Sequence, residues 1–330
     1  MKTIVTTVVA ILNITFVVAV LYFFIPKEAN QIYETKPNTT SNDLLHMSED
    51  EIREVVYNRT ESKSSLKVEA IKASTVSYAD EIEELIETRP SNGDYYKYES
   101  IRVNGHDAHL LIVYDPKQIK LITCKEFNTP DGVSGKSTLL EMARRTGASA
   151  AVNGGGFYEN EHGGLDTPKG YVIKDGEIIW RTSDKAGDLI GFNEDGKLML
   201  MHATGEEAIE QGMVDALEFG PFLVKDGQAI NYKPVVGGFT RAARMAVGQR
   251  SDGIVIFMMV EGLHGSGITL NELARALVKY GAMTAANLDG GASSQLVVNG
   301  KLVSKATDIK NNILKDGRGI VTGWGVFNNN

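Results

Sequence analysis

The sequence is poor in the residues that would indicate disulfides, clustered metal ligands or nucleic-acid binding. Cys124 is the single cysteine in 330 residues, so an intrachain disulfide framework and a multi-cysteine metal site are both excluded. The net charge is −8 and the main body has no dense run of lysine and arginine, which argues against a nucleic-acid partner. The histidines lack the spacing of zinc ligands, so we predict neither a metal nor another cofactor.

A long apolar run near the N-terminus has the length of a membrane span. Ile4–Ile25 contains about 22 residues, which matches the thickness of a bilayer core. A signal peptide is the alternative interpretation, but the run exceeds the usual apolar region of such a peptide and no small-residue cleavage site ends it. We therefore predict a single-pass protein of the cell membrane, with residues 1–28 as a cytoplasmic stub and transmembrane anchor and the main domain extracytoplasmic.

Residues 29–93 have the composition of a linker followed by a helical stalk. Ala29–Asn42 is polar, whereas Leu44–Arg59 and Leu66–Thr88 are charged and carry apolar residues at helical spacing. A Pro-Ser-Asn-Gly sequence then interrupts the helical pattern. This interruption predicts a domain boundary, so that residues 94–330 form the main domain.

The main domain is rich in hairpin signals. Asp-Gly and Asn-Gly pairs separate apolar runs, and such pairs suit tight turns in which both central residues have positive φ. The pairs are Asn104-Gly105, Asp175-Gly176, Asp195-Gly196, Asp226-Gly227, Asp252-Gly253 and Asn299-Gly300. We predict an α+β fold with a strand-rich mixed sheet, many hairpins and at least two packed helices, preceded by the N-terminal membrane anchor and the helical stalk.

Two stretches of the main domain share one pattern. Thr138–Gly156 and Thr269–Gly291 both begin with Thr-x-x-Glu, the capping box that satisfies free amides at a helix start. Both continue as an amphipathic run, stop at a Gly-Ala pair, and lead through a short strand to an asparagine and a glycine turn. If the two units pack with pseudo-symmetry, their Asn-Gly turns face each other and form one pocket.

The second glycine turn is the strongest single candidate for a site. Within Ala285–Gly300, a strand leads into Asn-Leu-Asp-Gly-Gly and two serines before a new strand begins. Paired glycines allow a ligand to approach the backbone, and the serine hydroxyls can donate or accept hydrogen bonds. The alternative is an ordinary β-turn in which Asp289 bonds to its own backbone.

Two other patterns resemble known sites without matching them. Gly132–Thr138 is similar to the end of a phosphate-binding loop, but Pro130 stands where that loop has its first glycine, so the Ser-Thr pair is better explained as a helix cap. His264 and Ser266 could suggest a nucleophilic pair, but the Gly-x-Ser-x-Gly pattern is absent.

The ordered set of motifs resembles the phosphodiester glycosidase family. The segments that carry the resemblance are Asn153–Phe157 with Gly163–Gly176, Phe219–Gly227, Arg244–Gly248, Val260–Leu270 and Asn287–Ser294. Animal members of the family remove an N-acetylglucosamine that caps mannose phosphate, and bacterial relatives are often linked to envelope or exopolysaccharide metabolism. The resemblance spans roughly Tyr95 to Phe327; this chain has Glu261 where aspartate is usual and Leu263-His264 where an arginine is common.

The resemblance implies cleavage at an anomeric carbon that bears a phosphodiester. Such chemistry passes through an oxocarbenium-like state and normally uses two carboxylates. Asp289 is the first candidate for nucleophile or base, and Glu261 is the second carboxylate. Asp166 and Glu218 are reserve carboxylates. Arg244 would hold the phosphate, because a guanidinium matches two phosphate oxygens.

The remaining residues of the implied site bind the substrate. Backbone amides of the two glycine turns could act as nests for phosphate or sugar oxygens. The predicted binding residues are Asn153, Gly154, Gly155, Gly156, Thr167, Gly220, His264, Ser266, Asn287, Gly290, Gly291, Ser293 and Ser294.

Three functions are compatible with these patterns. The first is a membrane-anchored extracytoplasmic glycosidase that hydrolyses sugar-1-phosphodiester bonds in an envelope or exopolysaccharide glycan. The second is a non-catalytic module of the same fold that binds a phosphoglycan. The third is a structural envelope protein, for which Arg244 and Asp289 would lie far apart. The sequence leaves the oligomeric state open.

Overall fold

The computed structural model describes residues 80–90, 93–125, 127, 135–159, 166–233, 240–263, 265–308, 310 and 312–328. The predicted membrane anchor and linker, with most of the predicted stalk, lie outside these residues and stay predictions. No helix in the described part of the chain is long and apolar enough to cross a bilayer.

Strands dominate the described chain. The first strands are β1 Tyr96–Val103, β2 His106–Val113, β3 Ile119–Thr123, β4 Ser137–Thr138, β5 Ala150–Asn153, β6 Phe157–Tyr158 and β7 Thr167–Pro168. The next are β8 Val172–Lys174, β9 Glu177–Trp180, β10 Gly187–Phe192, β11 Leu198–Ala203, β12 Asp215–Glu218, β13 Phe222–Lys225 and β14 Gln228–Ala229. The last are β15 Arg244–Arg250, β16 Val255–Val260, β17 Ala282–Leu288, β18 Leu296–Val298, β19 Lys301–Leu302, β20 Gly319–Ile320 and β21 Thr322–Val326.

Four α-helices accompany the strands within the described ranges. They are α1 at residues 80–87, α2 Leu139–Thr146, α3 Gly205–Glu210 and α4 Leu270–Lys279. Short 3-10 turns occur at Pro116–Gln118 and Gly291–Ser293.

The strands form three large sheets. One has seven strands in the order β1-β2-β16-β15-β17-β13-β14, one has the order β11-β10-β12-β8-β9, and one has the order β19-β18-β5-β21-β3. The pairs β20-β4 and β6-β7 form two small additional sheets. Every strand pairing within the described ranges is antiparallel, whereas the sequence led us to expect a mixed sheet. The strand-rich α+β class with more than two packed helices is confirmed.

The three sheets enclose the main hydrophobic core. Phe257, Leu217 and Trp324 each come from a different sheet and are buried in the same cluster. Helix α4 and helix α1 cover the other face of the seven-stranded sheet, and α2 and α3 each cover the outer face of one five-stranded sheet. The helices are therefore peripheral, and the sheets position the strand ends from which the candidate site is built.

Helix α1 is the one described piece of the predicted stalk. Its Ile82 and Ile86 are buried against the seven-stranded sheet, and Tyr114 donates its hydroxyl to the carbonyl of Ile86 at 2.8 Å. Residues 76–330 form one compact unit. The C-terminal end of the stalk therefore packs with the main domain instead of projecting from it.

Four of the six predicted hairpin turns have both central residues at positive φ, at Asn104-Gly105, Asp175-Gly176, Asp226-Gly227 and Asn299-Gly300. Asp195-Gly196 and Asp252-Gly253 also lie in hairpins, between β10 and β11 and between β15 and β16, but only the glycine of each pair is left-handed. At the first of them, Asn193 Oδ1 accepts from the amides of Asp195 and Lys197, which stabilises a longer turn with a single left-handed residue at its end.

The two predicted capping boxes are present. Thr138 and Glu141 at the start of α2, and Thr269 and Glu272 at the start of α4, exchange hydrogen bonds between side chain and backbone amide in both directions. Gly147 and Gly281 follow these helices in the left-handed conformation, where glycine has no Cβ penalty. The repeated helix–strand–turn unit is therefore real in local structure.

Candidate active site

The Asn-Gly turns of the two repeated units meet. Asn153, at the end of β5, donates its side-chain amide to the carbonyl of Asp289 at 2.7 Å and accepts from the amide of Gln295 at 3.0 Å. The amide of Asp289 donates to the carbonyl of Gly154 at 3.0 Å. One asparagine thus fixes both ends of the turn that follows β17, so the two Asn-Gly turns are in contact, as the sequence led us to expect.

Asp289 is the carboxylate at this junction. The amide of Gly290 donates to its Oδ1 at 3.1 Å, and the hydroxyl of Ser293 hydrogen bonds to its carboxyl group. Burial raises the pKa of Asp289, and these two donors, with the charges of Arg318 and Lys169, oppose the rise. A carboxyl group with a raised pKa exchanges a proton closer to neutral pH than an exposed one.

The second asparagine holds a different loop. Asn287 donates its side-chain amide to the carbonyl of Gly220 at 2.9 Å, and its backbone amide donates to the carbonyl of Pro221 at 3.0 Å. Its Oδ1 and the hydroxyl of Ser294 are buried, and neither has a hydrogen-bond partner in the described chain. Buried polar atoms of this kind are normally paired with water or with a ligand atom.

The first glycine turn is close-packed. A Cβ at Gly154 would lie 2.7 Å from Thr322 Oγ1, and a Cβ at Gly156 would lie 2.7 Å from the ring of Phe219. The amides of Gly154 and Gly155 donate to the carbonyl and hydroxyl of Thr322. The absence of side chains at these glycines therefore lets the turn pack closely against β21 and against the loop after β12.

The prediction of open backbone nests is wrong for four amides. Thr322 accepts hydrogen bonds from the amides of Gly154 and Gly155. Asp289 accepts from the amide of Gly290, and the carbonyl of Ala243 accepts from the amide of Gly291 at 2.8 Å. Ligand contacts at this site must therefore come mainly from side chains.

Arg244 lies beside the Asp289 turn. A Cβ at Gly290 would lie 3.7 Å from Arg244 Nη1. This proximity contradicts the purely structural interpretation, which required Arg244 and Asp289 to be far apart. The Nε and Nη2 atoms donate to the carbonyls of Ile268 and Thr240 at 3.3 and 3.4 Å, and burial lowers the pKa of Arg244. Arg244 therefore supports the loops around the turn.

Glu261 occupies a second region. Its Oε1 lies 2.8 Å from His109 Nε2 and accepts from the amide of Lys305 at 2.8 Å, while His109 Nδ1 lies 2.8 Å from the hydroxyl of Tyr98. A neutral imidazole that donates to Glu261 and accepts from Tyr98 satisfies all three groups. The strand β15 separates β16, which ends before Glu261, from β17, which ends before Asp289.

A cavity of about 400 Å³ opens at Glu261. Its lining includes Glu261, Ser266, Arg102, Asp107 and Lys305, and among the described residues Asp289 does not line it. The structure therefore divides the predicted site residues into a group around Asp289 and a pair, Glu261 and Ser266, in this cavity. His264 lies outside the described residues.

The remaining predicted residues lie near the first glycine turn. Thr167 pairs with Tyr158 in the small β6-β7 sheet that follows this turn. Of the reserve carboxylates, Glu218 accepts from the amide of Tyr171 at 3.1 Å and Asp166 pairs with Lys136 at 3.5 Å. Both carboxylates are therefore engaged in contacts within the protein.

Sequence reasoning found Arg244 but missed two other cations near Asp289, Arg318 and Lys169. Arg318 Nη1 donates to Ser293 Oγ at 3.0 Å, and its guanidinium lies 5.0 Å from the centre of the Phe157 ring. Lys169 acts on the pKa of Asp289 through its charge. The only local signal at Arg318 is an Asp-Gly pair, which is typical of a surface turn, so its role had no sequence signature.

The described residues contain no group of three or more His, Cys, Asp or Glu side chains that could hold a metal ion. The arrangement around Asp289 places a carboxyl group of raised pKa near the cations Arg318 and Lys169, which suits an anionic substrate.

Comparison with known proteins identifies relatives. A family model described as phosphodiester glycosidase matches residues 146–327. The N-acetylglucosamine-1-phosphodiester alpha-N-acetylglucosaminidase of Bos taurus is 29% identical over 240 residues, which cover 67% of this chain and 44% of that protein. The uncharacterized SPbeta prophage-derived protein YomE of Bacillus subtilis (strain 168) is 32% identical over 193 residues, which cover 54% of this chain and 28% of that protein. The chain thus spans less than half the length of these curated relatives.

Two solved structures share the fold. The catalytic domain of zebrafish N-acetylglucosamine-1-phosphodiester alpha-N-acetylglucosaminidase, auto-inhibited by its pro-peptide, superposes with a TM-score of 0.59 at 23% identity, covering 73% of this chain and 86% of that one. A hypothetical protein from Synechocystis superposes with a TM-score of 0.52 at 16% identity, covering 70% and 61% of the two chains.

Proposed function

The chain belongs to the phosphodiester glycosidase family, and from this membership we propose that it hydrolyses sugar-1-phosphodiester bonds in an envelope or exopolysaccharide glycan. The observation that carries the proposal is the position of Asp289, a half-buried carboxyl group of raised pKa where the two Asn-Gly turns meet. Ser293 hydrogen bonds to this carboxyl group, and Arg318 donates to Ser293. The curated relatives that are named as glycosidases support the reaction class.

The proposed reaction replaces the bond between the anomeric carbon and the phosphate oxygen with a bond between that carbon and the oxygen of water. Water attacks the anomeric carbon, the bond between that carbon and the phosphate oxygen breaks, and the phosphate leaves as a monoester. Ionised Asp289 accepts the proton that the attacking water loses. Because phosphate is a weak base, it needs stabilisation by cations more than protonation, and Arg318 and Lys169 supply positive charge on this side of Asp289.

The specific products allow a sharp test of the proposal. The full chain, purified in detergent, is incubated with a panel of sugar-1-phosphodiesters, and the products are separated. A glycosidase releases free sugar and a phosphate monoester, whereas cleavage on the other side of phosphorus releases sugar-1-phosphate. We expect free sugar from the wild type and none from Asp289→Asn.

Asp226→Asn is the matched control for this substitution. Asp226 is exposed and sits at positive φ in a hairpin turn, where asparagine is equally tolerated. It should therefore keep full turnover. Equal activity of Asp289→Asn and wild type would rule out the proposed role of Asp289.

A phosphoglycan-binding module is the second candidate function. The observation that favours it is the placement of Glu261, the predicted second carboxylate, in the cavity described above and in hydrogen bonds to His109 and Lys305. A binding module would show saturable binding of a sugar-1-phosphodiester with no product of either kind, whereas the glycosidase turns the same compound over.

We also propose that Ile4–Ile25 anchors the protein in the cell membrane with the main domain extracytoplasmic. The support is the length and apolar character of that segment. Protease added to intact cells should degrade the main domain, and recovery of an intact domain from such cells would argue for the opposite orientation.

A further inference from the structure

Two cations form a compact cluster with the carboxylate of Glu159 next to the Asp289 turn, and the buried Asp166 lies at its edge, 3.5 Å from Lys136 Nζ. Lys136 Nζ lies 5.6 Å and Arg318 Cζ lies 5.0 Å from the centre of the Phe157 ring. Glu159 pairs with both cations: its Oε1 lies 2.8 Å from Lys136 Nζ, and its Oε2 contacts Arg318 Nη2. We call Lys136, Arg318 and Glu159, with the Phe157 ring, the Phe157 cluster.

The two cations reach the same ring from opposite ends of a short ladder. Lys136 directly precedes β4 and Arg318 directly precedes β20, these two strands pair antiparallel, and both side chains extend to Phe157 and Glu159. Two positive charges held beside one aromatic ring repel each other unless an anion lies between them. The carboxylate of Glu159 fills that place, and the hydrogen bonds from Lys136 and Arg318 lower the pKa of Glu159.

A phosphodiester offers the same pair of acceptors as a carboxylate. Its two non-bridging oxygens can each take one cation, in the way that the two oxygens of Glu159 do now. The side chain of Glu159 is 44% exposed, and ion pairs at such positions are weak, so displacement of this carboxylate costs little.

The Phe157 cluster also has the right position relative to Asp289. Arg318 Nη1 donates to Ser293 Oγ at 3.0 Å, and Ser293 hydrogen bonds to Asp289. In a sugar-1-phosphodiester a single oxygen joins phosphorus to the anomeric carbon. A phosphate on Arg318 would therefore place the anomeric carbon in the neighbourhood of Asp289.

Arg244 is less suited to this task. Its Nε and Nη2 already donate to the carbonyls of Ile268 and Thr240, and burial lowers the pKa of its guanidinium. The phosphate contact that the sequence assigned to Arg244 is better supplied by Arg318, which is 25% exposed and stands on the aromatic ring.

We propose that Lys136 and Arg318 form the phosphate-binding subsite of the active site and that the carboxylate of Glu159 occupies this subsite until the phosphate of the substrate displaces it. The proposal rests on the proposed function for the identity of the substrate. The anion affinity of the subsite can be measured without turnover, because inorganic phosphate would compete with the carboxylate of Glu159 for the two cations.

The test measures binding of inorganic phosphate to the full chain by isothermal titration calorimetry. Glu159→Gln removes the competing charge and should tighten phosphate binding by about three- to fivefold, the size of an exposed ion pair. Arg318→Lys removes the guanidinium fork and should weaken binding by about tenfold. Glu206→Gln is the matched control, because Glu206 pairs with Arg181 at 2.6 Å in a comparable exposed ion pair away from the cluster, and it should change nothing.

Kinetics give a second readout if substrate is turned over. We expect Glu159→Gln to lower KM and Arg318→Lys to raise it by similar factors. Unchanged or weaker phosphate binding by a folded Glu159→Gln protein would overturn the displacement of Glu159, and unchanged binding by Arg318→Lys would overturn the subsite. Absence of turnover with the expected phosphate-binding changes would instead contradict the proposed function and leave the subsite supported.

Discussion

Asp289 and Glu261 are both carboxylates that follow strands of the seven-stranded sheet, separated by β15, but they are held in opposite ways. The donors to Asp289 come from its own turn, namely the Gly290 amide and the Ser293 hydroxyl. The donors to Glu261 come from His109 and Lys305, which lie 152 and 44 residues away in the sequence. Asp289 can change its protonation state without breaking a long-range contact, whereas Glu261 joins three separate segments. The comparison shows that Glu261 is tied into the tertiary structure more widely than Asp289, which agrees with the catalytic role proposed for Asp289.

The largest expected effect is on turnover by Asp289→Asn. Loss of the base should lower kcat by a factor of about 10³ or more, within the range for loss of a group that acts in the transition state. Hydrolysis of the best substrate from the panel provides the measurement.

Stability of the same variant separates catalysis from folding. Burial raises the pKa of Asp289, so its favourable neutral form is present below the unfolded-state pKa, and stability is lost as pH rises through the folded-state pKa. Asparagine removes that loss, so Tm at pH 7 should be equal to or higher than that of the wild type, while the two proteins converge in acid. A lower Tm at pH 7 would mean that Asp289 is architectural too.

The next effect is on the stability of Glu261 variants. Glu261→Ala leaves the His109 and Lys305 donors without their acceptor and should lower the free energy of unfolding by about 3 kcal/mol. Glu261→Gln keeps an oxygen for these donors and should keep kcat within about tenfold of the wild type. Chemical denaturation and steady-state kinetics measure the two quantities. A Glu261→Gln protein that folds normally but is as inactive as Asp289→Asn would unite the two regions in one catalytic unit.

Ser293→Ala should have an intermediate effect that appears as a pH shift. The Ser293 hydroxyl lowers the pKa of Asp289, so its removal raises that pKa further. The acidic limb of the kcat/KM profile should move to higher pH, because the carboxylate loses a donor that stabilises its ionised form. A limb that stays in place would show that Ser293 does not act on the ionisation of the catalytic group.

The smallest effect is expected at the rim of the Glu261 cavity. Arg102 pairs with Asp107 at 2.8 Å, and both side chains are at least half exposed. Arg102→Ala should therefore change the free energy of unfolding by less than about 1 kcal/mol and leave KM unchanged. A large increase in KM would show that this cavity binds part of the substrate.

Local patterns allowed much of the fold to be predicted. The capping boxes of α2 and α4 and the four left-handed hairpin turns depend on residues within a few positions of one another, so sequence spacing is sufficient to find them. Helix α3 carries the same Thr-x-x-Glu signal, at Thr204 and Glu207, yet it was missed because six residues are too few to show helical periodicity.

The site was predictable only where the sequence repeats itself. The repeated pattern predicted that the turn after Asn153 and the Asp289 turn face each other, and hydrogen bonds join them in the structure. The partners of Ser293 and Glu261 could not be inferred, because Arg318 and His109 reach them through tertiary packing and neither residue stands in a pattern of its own.

The hydrogen bonds of Asn153 also bear on how the protein folds. They connect residues 136 and 142 positions apart, so the Asp289 turn cannot take its final form until most of the intervening chain is in place. Contacts of such high sequence separation are slow to form, because loop closure must precede them. Recovery of activity after dilution from denaturant should therefore lag behind recovery of strand content, and enzyme activity would report completion of folding more strictly than a spectroscopic signal from the backbone.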